Sequence, residues 1–178
     1  MATPVTKWAN PTQSTRAPAM TQHLLDLSTP EGLADAYITH AITPASLHGI
    51  TTEELEAVYS RAFDLLGEEK YDEALEDLTF LVKHNPWESR YQFSFALCLH
   101  HLRQYEAAGN HYAQALLMNA TDAICALRMG ECLGALGHLA EAREAFESAV
   151  KLSYREAGYA DTRELALQRL DTLSAAGA

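Results

Sequence analysis

The sequence predicts an all-α fold, a solenoid of stacked helical hairpins, and three observations carry that prediction. Small residues recur every 34 positions at two phases: Ala62, Ala96 and Gly130, then Ala74, Ala108 and Ala142. Large residues keep the same register between and beyond them, as Leu65, Leu99 and Leu133, and as Leu78, Tyr112 and Phe146. A further column reads Leu81, Ala115 and Ala149, without an insertion in any copy. Paired helices need a small side chain where their axes approach and a bulky one in the groove beside it.

A 34-residue period of this kind marks the tetratricopeptide hairpin. Taken in order, residues 1–20 are rich in Thr, Pro, Ala and Ser and read as a flexible tail, with Trp8 its one large anchor. Residues 21–48 form a separate helical segment. Leu24, Leu25 and Leu27 make an apolar cluster. Thr29-Pro30 then starts a helix, with proline where its missing N–H costs little. Leu33, Ala34, Tyr37, Ile38 and Ala41 hold helical spacing up to Thr43-Pro44, so one amphipathic helix lies outside the repeats and needs a partner.

The repeat domain is expected over 49–173. Thr51 and Glu54 form a capping box that opens helix A of repeat one, residues 55–88. Its helix B starts near Asp72 and stops before Asn85-Pro86. Repeats two and three span 89–122 and 123–156, with turns at Arg103-Gln104 and Gly137-His138. Leu165, Leu167, Leu170 and Leu173 then mark a helix over 160–173 that caps the open end of the solenoid. The match is imperfect: the tryptophan position holds Val58, Gln92 and Ala126, and the closing proline occurs only as Pro86.

Hydrophobic content of 48% suffices for a core, and a net charge of −11 argues against a nucleic-acid partner. Residues 1–20 carry Lys7 and Arg16 and no acid, so the acidity lies in the rest. No run of about 18 apolar residues is present, so no membrane span is expected, and no secretory leader is apparent. Cys98, Cys125 and Cys132 sit inside the repeats without a CxxC, which reads as buried, reduced, inert thiols.

In such solenoids the A helices line a concave face. The inward positions are Tyr59, Phe63 and Leu66; then Arg90, Phe93, Leu97, His100 and His101; then Ile124, Leu127 and Glu131, with Arg128 close by. That surface is apolar and aromatic with a few polar groups, as a groove for an extended peptide requires. A clamp for a C-terminal carboxylate is disfavoured, because its positions hold Glu56, Ser60, Ser94, Ile124 and Arg128, and only the last suits an anion.

The run Leu55-Glu56-x-x-Tyr59-Ser60-x-Ala62-Phe63, followed by Lys70-Tyr71-x-x-Ala74, resembles the class II chaperones of type III secretion, the LcrH/SycD-like family. So do Ser89-Arg90, Gln104-Tyr105 and Glu131-Cys132-Leu133, and the resemblance covers roughly residues 45–145. It implies a bacterial cytoplasmic chaperone that holds hydrophobic translocator proteins before export. The client would lie in the groove as an extended, P-x-L-x-P-like segment. The aromatic groove positions carry over onto Tyr59, Phe63 and Tyr71, with Leu66 where relatives are usually aromatic. The resemblance also implies a homodimer through the upstream helix, with Leu33, Tyr37 and Ile38 as contacts, and in some members co-activation of an AraC-type regulator. Arg103, where relatives tend to have glycine, departs from the pattern. Two alternatives stay open at this level: a co-activator or scaffold for such a regulator, and a generic tetratricopeptide adaptor.

Catalysis is not expected, nor is a cofactor. No GxSxG, HExxH, GxxxxGK or GxGxxG occurs. His100 and His101 are adjacent, so on a helix they point about 100° apart and do not chelate as an i, i+4 pair. His111 has no third ligand at a suitable spacing.

Overall fold

The computed structural model describes residues 27–176. The expected tail 1–20, and Leu24 and Leu25, lie outside the described residues. Nine α-helices follow: α1 (Pro30–His40), α2 (Pro44–Leu47), α3 (Thr52–Gly67), α4 (Tyr71–His84), α5 (Ser89–His101), α6 (Tyr105–Met118), α7 (Ala123–Ala135), α8 (Leu139–Ser153) and α9 (Ala160–Ala176) among the described residues. A 3-10 turn, Ala157–Tyr159, leads into α9. The fold is all-α, as the sequence predicts.

Local chemistry sets the ends. Thr51 Oγ1 accepts from the Glu54 N–H at 3.2 Å, and the Glu54 carboxylate accepts from the Thr51 N–H at 2.8 Å. Asp122 Oδ1 caps α7 by accepting from the Ile124 and Cys125 N–H groups at 2.9 and 3.1 Å. The B helices α4, α6 and α8 start without a side-chain cap, on Lys70, Gln104 and His138. Just before them the chain reverses through Glu69, Arg103 and Gly137, with φ of 60°, 60° and 83°. These three are 34 residues apart, so one left-handed turn is used three times. Only the last has the residue that adopts it without a steric cost.

Consecutive helices pack in order from α3 to α9, and α9 also reaches back to α7. The small columns sit where axes cross: Ala62, Ala74, Ala96, Ala108 and Ala142 are fully buried. Leu78, Leu81, Tyr112 and Phe146 fill the grooves beside them, each worth on the order of 2 kcal/mol in apolar burial. Repeat three uses glycine at its first small phase for a reason. A Cβ on Gly130 would lie 2.6 Å from the Phe146 ring.

The N-terminal segment meets the solenoid at two places: Ala45 of α2 is buried in the first-repeat core, and α1 contributes a ring pair. Tyr37 of α1 stacks on Trp87, centroids 4.7 Å apart and planes 10° from parallel. Leu33 is half-buried, while Ile38 is 80% exposed. The helix ends at Ala41, whose φ of 52° breaks it two residues before Thr43. No helix of the described residues is long and apolar enough to cross a membrane.

Candidate functional site

Helices α3, α5 and α7 present the residues that the repeat pattern assigns to the concave face. At the first-repeat end, Tyr59 is half-buried and Phe63 is 63% exposed, with ring centroids 6.4 Å apart. The Tyr59 hydroxyl lies 3.3 Å from Ser94 Oγ, and its ring lies 5.2 Å from that of Tyr91. The Arg90 guanidinium sits 5.2 Å over Tyr59 while pairing with Glu56 at 2.8 Å and Glu88 at 3.1 Å. Its hydrogen bonds hold the Glu56 carboxyl below the usual carboxylate range, and the two carboxylates push the guanidinium pKa up in turn. Tyr59, Ser89, Arg90 and Phe93 line a cavity of about 160 Å³ there.

Midway, Phe93 is half-buried with its ring 5.6 Å from Tyr112. Leu97, His100, His101, Arg103, Tyr105 and Arg128 surround a cavity of about 230 Å³. His101 stacks on Tyr71 at 4.3 Å, and His100 meets Tyr105 edge-on at 5.5 Å. The two histidines are thus engaged separately. Burial pulls the His100 pKa down, so its ring serves as a neutral polar wall at neutral pH.

At the third-repeat end a larger cavity of about 450 Å³ opens between α5, α7 and α9. His100, Tyr105, Arg128, Glu131, Phe146 and Arg169 are among its walls. Glu131 accepts from Arg128 at 2.8 Å and from Arg169 at 3.0 Å. Arg169 is a residue that sequence reasoning missed. It lies on the capping helix, outside the 34-residue period, where it is one of two arginines, with Arg163, and no repeat position singles it out.

The expected site residues therefore fall into groups. Tyr59, Phe63, Arg90 and Phe93 come together at one end, and Leu97, His100, His101, Arg128 and Glu131 towards the other. Leu66 and Tyr71 are half-buried and lean on the first-repeat core. Leu127 is a correction. It is 3% exposed and packs in the core that α7 shares with α8 and α9, so it does not line the trough. The generic repeat position that assigned it takes no account of a helix folded over the last repeat.

The remaining chemistry is inert. All three cysteines are buried, and burial pushes the Cys98 thiol up to about 11 and Cys132 up to about 12. Cys98 Sγ donates to the Tyr71 carbonyl at 2.9 Å. His111 is tied to Gln92, Nδ1 to Oε1 at 2.7 Å, and Gln92 in turn donates to the Pro86 carbonyl. Among the described residues no group of three His, Cys, Asp or Glu side chains could hold a metal ion.

No family model matches the chain. It is 27% identical over 123 residues to the low calcium response locus protein H of Yersinia pestis, covering 69% of this chain and 73% of that protein. Among solved structures it is similar to a type III secretion complex from Aeromonas hydrophila, with a TM-score of 0.75 and 25% identity over 81% of this chain and 96% of the other. PcrH, in complex with the chaperone binding region of PopD, superposes with a TM-score of 0.70 at 25% identity, over 73% of this chain and 98% of PcrH. The translocator chaperone SycD of Yersinia enterocolitica gives 0.67 at 25% identity, over 74% of this chain and 98% of SycD. The resemblance seen in the motifs thus extends to overall sequence and to fold.

Proposed function

We propose that this chain, similar in sequence and fold to the translocator chaperones of type III secretion, is itself such a chaperone. It holds an extended, apolar-anchored segment of a hydrophobic translocator in its concave trough, in the bacterial cytoplasm, until export. The observation that carries this reading is the exposed aromatic end of the trough. Phe63 stands largely in solvent beside Tyr59, on a scaffold whose relative PcrH is seen with the chaperone binding region of PopD. Large apolar side chains left open on a concave surface mark a docking site. An extended peptide loses conformational entropy on docking, so its affinity concentrates in a few anchors, which suits a client that must later be released. The acidic remainder of the surface keeps the complex in solution. No catalytic role belongs to this reading.

The test is co-expression with a translocator. Tyr59→Ala combined with Phe63→Ala abolishes co-purification while the helical circular dichroism stays intact. Retained binding would remove the trough from the account. A homodimer through α1 belongs to the same proposal. With Tyr37 engaged by Trp87, its contacts rest on Ile38 and the open side of Leu33. Ile38→Asp then halves the mass measured by sedimentation, and an unchanged mass would count against α1 as the interface.

A further inference from the structure

We propose that the third-repeat end of the trough is a subsite for a side-chain carboxylate, an Asp or Glu of the bound segment, recognised by Arg128 and Arg169. This inference deepens the trough reading and rests on it. Arg128 comes from α7 and Arg169 from α9, and both share one acid. Arg128 Nη1 lies 2.8 Å from Glu131 Oε2, and Arg169 Nη2 lies 3.0 Å from Glu131 Oε1. Two guanidiniums against one carboxylate leave one positive charge in excess, and no other acid lines the cavity.

The exposures fix which sign a ligand meets. The Glu131 side chain is 12% exposed, whereas those of Arg128 and Arg169 are 37% and 46% exposed. The acid lies beneath and the cations lie above. Each guanidinium has five N–H donors in a planar fork, more than Glu131 occupies. A carboxylate entering the cavity gains charge-assisted hydrogen bonds, the strong class.

The two cavities adjoin. The cavity of about 450 Å³ and the neighbouring one of about 230 Å³ share His100, Tyr105 and Arg128, and the second is lined by Leu97. An extended chain lying over Leu97 therefore reaches the arginines without leaving the trough. In a chain of net charge −11, a local excess of positive charge at the end of a path lined by Leu97, His100, His101 and Tyr105 selects for an acidic residue.

The experiment is selection from a displayed library of random 12-residue peptides, fused at their C-terminal ends so that none offers a free terminal carboxylate. Against the full chain, the enriched peptides carry an apolar anchor with Asp or Glu at one fixed spacing from it. Arg128→Gln and Arg169→Gln keep the anchor and lose the acidic preference. A selected peptide with its acid changed to the amide binds the unmodified chain about three- to tenfold more weakly. Glu131→Gln moves the other way, binding the acidic peptide several-fold tighter, a gain that a loosened α9 would not produce. Enriched peptides without an acid, an acidic preference that survives both arginine changes, or weaker binding by Glu131→Gln would each overturn the subsite alone. Binding seen only for synthetic peptides with a free C-terminus, and lost on amidation, would assign a chain end instead and overturn the side-chain assignment. A library from which nothing is enriched would overturn the trough reading itself, and the subsite with it.

Discussion

The two ends of the trough are built on the same hairpin, yet they carry opposite charge. At the first-repeat end one arginine, Arg90, stands between two carboxylates, Glu56 and Glu88. At the third-repeat end one carboxylate, Glu131, stands between two arginines, Arg128 and Arg169. A single repeat position shows the gradient in miniature, reading Phe63, Leu97 and Glu131 at successive steps of 34 residues. The scaffold repeats while its lining changes from aromatic to aliphatic to charged. Backbone geometry and binding chemistry are therefore separable here: buried columns maintain the stack, and exposed columns are free to differ.

The sharpest way to break that comparison is to force the buried columns alike. Gly130→Ala places a methyl group 2.6 Å from the Phe146 ring and should destabilise the chain by about 1–3 kcal/mol in urea denaturation. The equivalent change in the other direction, Ala96→Gly, should cost about 1 kcal/mol through helix propensity, plus whatever packing its methyl group supplies. A Gly130→Ala chain as stable as the parent would mean that the third repeat is not packed more tightly than the second.

A smaller effect separates the two thiols of the shared column, Cys98 and Cys132. Burial raises both pKa values above the ordinary 9, to about 11 and about 12. The folded chain favours the neutral thiol, so the stability involved is present below pH 9 and erodes as pH rises towards 11. The urea midpoint should therefore fall over pH 9 to 11, and fall less in Cys98→Ala. A pH dependence unchanged by that substitution would show that Cys98 is not sequestered in solution.

The smallest effect concerns the turns. Arg103 and Glu69 hold φ of 60° where repeat three has Gly137. Arg103→Gly should raise stability by about 0.5–1 kcal/mol by relieving the left-handed strain, less the backbone entropy that glycine adds to the unfolded chain. A lowered melting temperature would mean that the arginine side chain contributes more than its backbone costs.

The fold was legible in the sequence because its packing repeats. Ala62, Ala96 and Gly130, with Leu78, Tyr112 and Phe146, encode an axis crossing and its filler in every copy, and a period survives the loss of any single marker such as the closing proline. For the same reason phase separates Tyr59, Phe63, Phe93 and Leu97, which keep part of their surface open, from the buried columns. What escaped lies where periodicity ends. Arg169 belongs to a helix that occurs once, so nothing in the repeat points to its meeting with Glu131. Leu127 was misassigned because the same helix buries it. Tyr37 reads as an open dimer contact until Trp87, 50 residues away and in no register with it, takes up its ring.

That last pairing gives the chain an optical gauge of its own. The sequence holds two tryptophans, Trp8 and Trp87, and the second lies flat against a tyrosine of α1. With Trp8 replaced by phenylalanine, the emission of Trp87 alone would register whether the N-terminal helix stays seated or lifts away as other molecules arrive, with no label attached.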